Sequence, residues 1–116
     1  MGLKLTNIDR GVNQFIEIDD VKTEIFKFSV DANKRLIFHH IDGNCYTYIT
    51  TLKDTLDAYQ PEGFTKVDRV DIINVNLVDE YDKKDDKVYY KNRSIVATVA
   101  EKYIDKLLLL LKSKDH

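Results

Sequence analysis

The residues able to do chemistry in this 116-residue chain gather in a few places. The most informative is the segment 63–75, where a Gly-led turn opens an apolar stretch. The charged dipeptide Asp68-Arg69 stands in that stretch, and a hydrophobic run ending in Asn74 follows it. An unpaired buried charge is costly, so Arg69 is expected to project from the leading end of a strand over 64–75. There a sheet can hand a side chain to a partner. The competing reading is a surface ion pair of Arg69 with Asp68 or Asp71. Asn33-Lys34-Arg35 forms a second cationic group, either a contact loop or a solvated turn. Asn74 reads as structural, its amide satisfying backbone groups at a turn.

Other combinations carry less. His39-His40 with Asp42 has the residue types of a metal site, but adjacent strand residues point to opposite faces and do not share an ion. Asp79, Glu80, Asp82, Asp85 and Asp86 lack the spacing of a calcium loop. Lys83, Lys84 and Lys87 neutralise them, as in a solvated hairpin. A single cysteine, Cys45, excludes an internal disulfide and a multi-cysteine metal site. It reads as a buried inert thiol. With no nucleophile–base pair and no phosphate loop, the sequence offers no catalytic residue, metal site or cofactor, and an enzyme is not expected.

The elements that must position these residues are mostly strands. Residues 15–18 and 24–28 alternate apolar and polar side chains, the period of a half-buried strand. A strand over 35–41, the turn Asp42-Gly43-Asn44 and a return strand over 45–49 make a hairpin, with Gly43 free to take a positive φ. Thr51-Leu52-Lys53-Asp54 has the form of a capping box. It opens a helix whose Leu52, Leu56 and Tyr59 share a face and which Pro61-Glu62-Gly63 stops. Strands follow over 64–75, 77–81, 87–90 and 95–99, and a second helix starts near Ala100. The expected fold is mainly β with two short helices, an α+β class, in one domain spanning 1–116.

Composition bounds the rest. At 43% hydrophobic and 33% charged residues, the chain is too apolar for disorder. No leading apolar stretch resembles a signal peptide, and the longest apolar run is too short to span a bilayer. A cytoplasmic location is therefore expected. Five consecutive leucines, Leu107, Leu108, Leu109, Leu110 and Leu111, put apolar side chains all round the final helix. They imply a helix held in a groove between sheets, a homodimer contact, or a dock for a partner. The formal charge of −2 opposes nucleic-acid binding, since phosphate contacts supply most of that affinity. A DNA reader with this balance must gather its cations on one surface.

The order of these segments resembles the LytTR DNA-binding domain, the output module of bacterial two-component response regulators. The likeness runs over about 15–111. Glu24-Ile25-Phe26-Lys27-Phe28 is similar to that family's opening strand, Asp42 to Tyr48 to its hairpin, and Thr51-Leu52-Lys53-Asp54-Thr55-Leu56 to its short helix. Phe64 to Asn74 resembles its F-x-R-v-H-R-S-y-i-V-N segment. Val88-Tyr89-Tyr90-Lys91-Asn92 and Thr98 to Tyr103 resemble its last hairpin and the start of its final helix. The resemblance implies an elongated antiparallel β-sheet sandwich whose loops read successive major grooves of double-stranded DNA, commonly at paired direct repeats. By position it assigns contacts to Asn33, Lys34 and Arg35, to Lys66 with Arg69, and to Lys102. The chain departs from the family pattern where Asp68 replaces His, Asp71 an aromatic residue and Ala100 an Arg. A protein-interaction or anti-activator module with the same fold and little DNA affinity is the alternative.

Overall fold

The structure is a computed structural model that describes residues 3–7, 15–48 and 50–114. The strands are β1 (Leu3–Asn7), β2 (Phe15–Ile18), β3 (Ile25–Val30), β4 (Leu36–His40), β5 (Cys45–Thr47), β6 (Phe64–Lys66), β7 (Ile72–Asn74), β8 (Glu80–Asp82), β9 (Lys87–Tyr89) and β10 (Val96–Thr98). Three α-helices, α1 (Val21–Glu24), α2 (Leu52–Tyr59) and α3 (Ile104–Lys114), accompany them. A seven-stranded sheet runs β2-β1-β5-β4-β3-β7-β6, and a three-stranded sheet runs β10-β9-β8. Every pairing is antiparallel. The molecule measures 40 × 30 × 28 Å, moderately elongated as the resemblance implies.

The large sheet separates two cores because its central strands are apolar on both faces. Phe28 and Ile72 belong to one core, which Leu52, Leu56 and Tyr59 of α2 cover. Phe26 and Ile73 belong to the other, with Val88 and Ala97 of the small sheet and Leu107 of α3. A register shift in the β3–β4 ladder between Ile25 and Lys27 interrupts strict alternation. It lets Ile25 join Phe28 in the first core while Phe26 turns into the second. Phe28 also meets the rings of Phe38, Tyr59 and Phe64 at centroid distances of 4.8–5.8 Å.

Four features differ from the sequence reading. The expected strand over 64–75 is two strands, β6 and β7, with a loop at 67–71 closed by Val67 N–H donating to Asp71 O at 3.0 Å. The charged dipeptide cannot sit in a doubly buried ladder, so it makes the tip. Arg69 therefore stands in a loop, not on a strand. The expected strand over 77–81 begins later: Leu77 closes a 3-10 turn, Val75–Leu77, and the strand proper is β8 over Glu80–Asp82. Strand β1 had no counterpart in the reading, although Leu3-Lys4-Leu5 alternates; Leu5 is fully buried between β2 and β5. Helix α1 was also unread. Asp20 caps it, accepting from Lys22 N at 3.1 Å, and the Glu24 carboxylate takes the N–H groups of Asp19 and Asp20. Ile49, expected to end the return strand, lies outside the described residues, as do residues 8–14.

Between the two sheets lies a cleft of about 240 Å³ lined by Lys27, His39, Cys45 and Val96, among others. Lys27 Nζ crosses it to donate to Val96 O at 2.8 Å. His39 hydrogen-bonds Ser29 Oγ at 2.7 Å and sits 3.6 Å from Cys45 Sγ. Burial first, and the Lys27 charge second, push its imidazole down to about 4. That value lies below the ordinary histidine range, so the unfolded chain takes up the proton first. Stability from this group is complete above about pH 6.5 and is lost as pH falls toward 4. Glu24, Asp31, Asp42 and Glu80, held low, also lose stability in acid, whereas burial raises Asp71, which acts in the opposite direction. The His39 share appears by difference. Between pH 7 and 4.5, wild type should lose about 1–2 kcal/mol more than His39→Gln in urea titrations. Parallel loss in both proteins would refute the assignment.

Candidate nucleic-acid interface

Strand register places the loops that carry the candidate cations. β3 runs up to Val30 and passes into the turn 31–35, with Val30 opposite Leu36 of β4. β7 lies antiparallel on the other side of β3, Phe28 opposite Ile72 and Lys27 opposite Ile73. The residues just before Ile72, the loop 67–71, therefore emerge at the same end of the sheet as the turn 31–35. Ala100 N–H donates to Val67 O at 2.7 Å. This bond joins the start of the final helical segment, a 3-10 turn over Glu101–Tyr103 leading into α3, to the same loop. Three segments separated by some thirty residues each thus share one rim.

The turn 31–35 is built by Asp31. Its carboxylate accepts from Asn33 N at 2.9 Å and Arg35 N at 2.8 Å, while its carbonyl accepts from Lys34 N. These bonds hold Lys34 at φ 63°, a left-handed conformation that a residue with a Cβ enters at a cost of about 1–2 kcal/mol. Asn33 and Lys34 are exposed as a result. Arg35 is not free for a partner in the same way: its Nε donates to Asp31 Oδ2 at 2.8 Å. The Arg35 N–H bonds and guanidinium hold the Asp31 carboxyl below the usual range.

In the second loop, Asp68 Oδ1 accepts the backbone N–H of Arg69. Among the described residues the Arg69 side chain forms no ion pair with Asp68 or Asp71, and it is exposed. Asp71 is half-buried and burial raises its carboxyl, with Lys27 opposing and Asp68 adding to the rise. Lys66 directly precedes this loop, opposite Ile72. It ends β6 on the α2 side, in a groove with Leu52, Lys53, Leu56 and Ile72. Lys102 is exposed and folds over its neighbour, its Nζ 5.1 Å from the Tyr103 ring centroid.

A feature that the sequence reading missed adjoins this rim. Val99 N–H donates to Asp86 O at 2.8 Å, so the turn 83–86 with Lys83 and Lys84 lies next to the final segment. The long-range bond is invisible in composition or spacing. Counting only the candidate contacts, five cations, Lys34, Arg35, Lys66, Arg69 and Lys102, face four nearby carboxylates, Asp31, Asp68, Asp71 and Glu101. The rim is mixed in charge, with Lys34, Arg69 and Lys102 as its exposed cations outside any ion pair among the described residues.

The remaining chemical candidates serve the fold. His40 is buried; its Nδ1 accepts from Asp42 N at 3.0 Å, and its Nε2 lies 3.2 Å from Glu24 Oε1. His39 has different neighbours, as the strand argument requires. Among the described residues no group of three or more His, Cys, Asp or Glu side chains is placed to hold a metal ion. Asn74, with no exposed surface, donates to Lys22 O and Ile25 O at 2.7 and 2.8 Å. No helix among the described residues is long and apolar enough to cross a membrane.

Comparison with known proteins gives a consistent picture. The family model described as LytTr DNA-binding domain matches residues 15–112. A search of curated proteins finds no match. Among solved structures, the chain is similar to the LytTr DNA-binding domain of a Bacillus cereus protein described as a methyl-accepting/DNA response regulator. The TM-score is 0.71 at 15% identity, with 95% of each chain covered.

Proposed function

Because the chain belongs to the LytTR family of DNA-binding domains, we propose that it is a cytoplasmic bacterial transcriptional regulator that binds specific double-stranded DNA sites. In this reading it is a binding module and carries no catalysis. It needs no cofactor, and the turn 31–35, the loop 67–71 and the start of the final segment face successive major grooves. A single observation supports it most: the register of β7 on β3, with the Ala100–Val67 bond, brings those three segments to one end of the sheet. Arg69, exposed at a loop tip, is the residue best suited to donate two hydrogen bonds to guanine O6 and N7. Lys34 and Lys102 suit phosphates, which position a protein without specifying sequence. Arg35, held by Asp31, contributes shape to the turn and charge only after that pair opens.

The near balance of charge on the rim favours one second reading, a domain that docks a protein partner with this same edge. Fluorescence anisotropy against DNA upstream of the gene, at about 50 and 200 mM salt, separates the two. DNA binding through several phosphates should weaken steeply between those concentrations. Arg69→Ala should weaken binding by about 1–3 kcal/mol and relax preference at one base position. Lys34→Ala should weaken all sequences alike. Lys53→Ala, which removes an exposed ion pair with Asp57 on α2, should change little. Salt-independent binding, or no effect of Arg69→Ala on affinity or preference, would refute the proposal.

A further inference from the structure

Helix α3 has two opposed faces. Ile104, Leu107, Leu110 and Leu111 pack into the second core. On the other side, at positions that share a stripe by the 3.6-residue period, stand Asp105, Leu108, Leu109 and Lys112, all exposed. Leu108 is 40% exposed and Leu109 67%, the latter the largest exposure of a large apolar side chain among the described residues. The sequence anticipated an apolar helix all round; the structure assigns three of its five leucines to the interior and leaves this pair outside.

The stripe is self-complementary in charge. Asp105 lies three residues before Leu108, and Lys112 lies three after Leu109. Two such helices set antiparallel about an axis through the Leu108–Leu109 midpoint place Asp105 of each copy opposite Lys112 of the other. A parallel pairing would face like charges and lose both attractions. A two-fold contact presents the same patch on both copies, which this arrangement of residues satisfies without any second surface.

We propose that the Asp105–Leu108–Leu109–Lys112 stripe of α3 is a self-association surface on which a second copy of this chain docks through an antiparallel, two-fold helix pair. Four side chains over two turns cover less than the roughly 800 Å² per partner of a standard stable interface. The pairing is therefore weak in solution, with a dissociation constant of about 10⁻⁴ to 10⁻³ M. It becomes effective where two copies are held close together.

Sedimentation equilibrium of the whole chain from about 0.02 to 1 mM tests this. The average mass should climb toward twice the monomer across that range. Leu109→Glu, at a position exposed enough to leave the fold intact by circular dichroism, should abolish the rise. Asp105→Lys and Lys112→Asp, each alone, place like charges across the axis and should weaken association about tenfold or more. An equimolar mixture of those two variants pairs opposite charges at both sites, as does one chain carrying both substitutions. Association should return in either case. A wild type that stays monomeric at 1 mM, or association unchanged by Leu109→Glu, overturns the proposal. So does a mixture that fails to recover. None of these readouts involves DNA, so their outcome is independent of the DNA-binding reading.

Discussion

Asn74→Ala should cost about 3–4 kcal/mol of folding stability, the largest effect expected from any polar substitution in this chain. The side chain has no exposed surface and uses both ends. Its amide donates to Lys22 O and Ile25 O, and its carbonyl accepts from Asn76 N at 3.1 Å and Asn76 Nδ2 at 2.9 Å. Alanine removes one buried residue's hydrogen bonds and leaves carbonyls of α1 and β3 without donors. The unmade partners, each worth about 1–3 kcal/mol when buried, dominate over the lost bonds themselves. Asn74→Asp keeps the acceptor but points a carboxylate at two carbonyl oxygens, so it should destabilise at least as much. The chain has no tryptophan, and urea unfolding followed by circular dichroism is the suitable measurement. A loss below about 1 kcal/mol would mean that water replaces the amide.

A structural Asn74 at a turn is legible in the sequence, and its carbonyl accepts from Asn76 N as such a turn requires, but its donor bonds to Lys22 O and Ile25 O, some fifty residues away, are not. The hairpin at Asp42-Gly43-Asn44 was legible too: Gly43 takes φ 90°, and Asn44 N donates to Asp42 Oδ1. So was the cap of α2, where Thr51 Oγ1 accepts from Asp54 N at 3.0 Å. These signals are local, and a local signal survives in sequence. The split of 64–75 into β6 and β7 was not legible, because Phe64, Val67, Ile72 and Ile73 are all buried and look like one continuous strand. Only the pairing of β7 with β3 shows where the ladder resumes. Strand β1 was missed because five residues of mild alternation carry little weight until both neighbours are known.

The candidate site divides along the same line. Which residue types line the rim followed from the chain and from the family resemblance, but their mutual positions did not. The bond from Ala100 N to Val67 O joins segments more than thirty residues apart. Arg35 looked equivalent to Lys34, yet the Asp31 side chain builds the turn and takes Arg35 with it. Asp31 four residues before Arg35 is a readable signal for that pair. The family resemblance groups Lys66 with Arg69 by position alone. Lys66 directly precedes the loop closed by Val67 and Asp71 and lines the groove against α2, while Arg69 stands in that loop, exposed. Sequence thus named the cations and left open which of them are available.

Gly63→Ala should cost about 2–3 kcal/mol, more than any substitution at an exposed loop position here. Gly63 ends the 3-10 turn Gln60–Glu62 after α2 and takes φ 102°, a conformation that side-chain-bearing residues rarely adopt. A Cβ there would lie 2.6 Å from Asn76 Nδ2, too close for either group to remain in place. Asn76 would have to give up its bonds to Glu62 O at 2.8 Å and to Asn74 Oδ1. Alanine's smaller unfolded-state entropy offsets about 0.4–1 kcal/mol of this. Because Asn76 connects the two sites, Gly63→Ala and Asn74→Ala share a partner and should not add. The double variant should fall short of the sum by about 0.5 kcal/mol or more. Gly43→Ala supplies the comparison, since its Cβ would meet nothing within 4 Å and only the positive φ opposes it. If both glycine variants lost equal stability, the contact with Asn76 would contribute nothing and the backbone conformation alone would explain the cost.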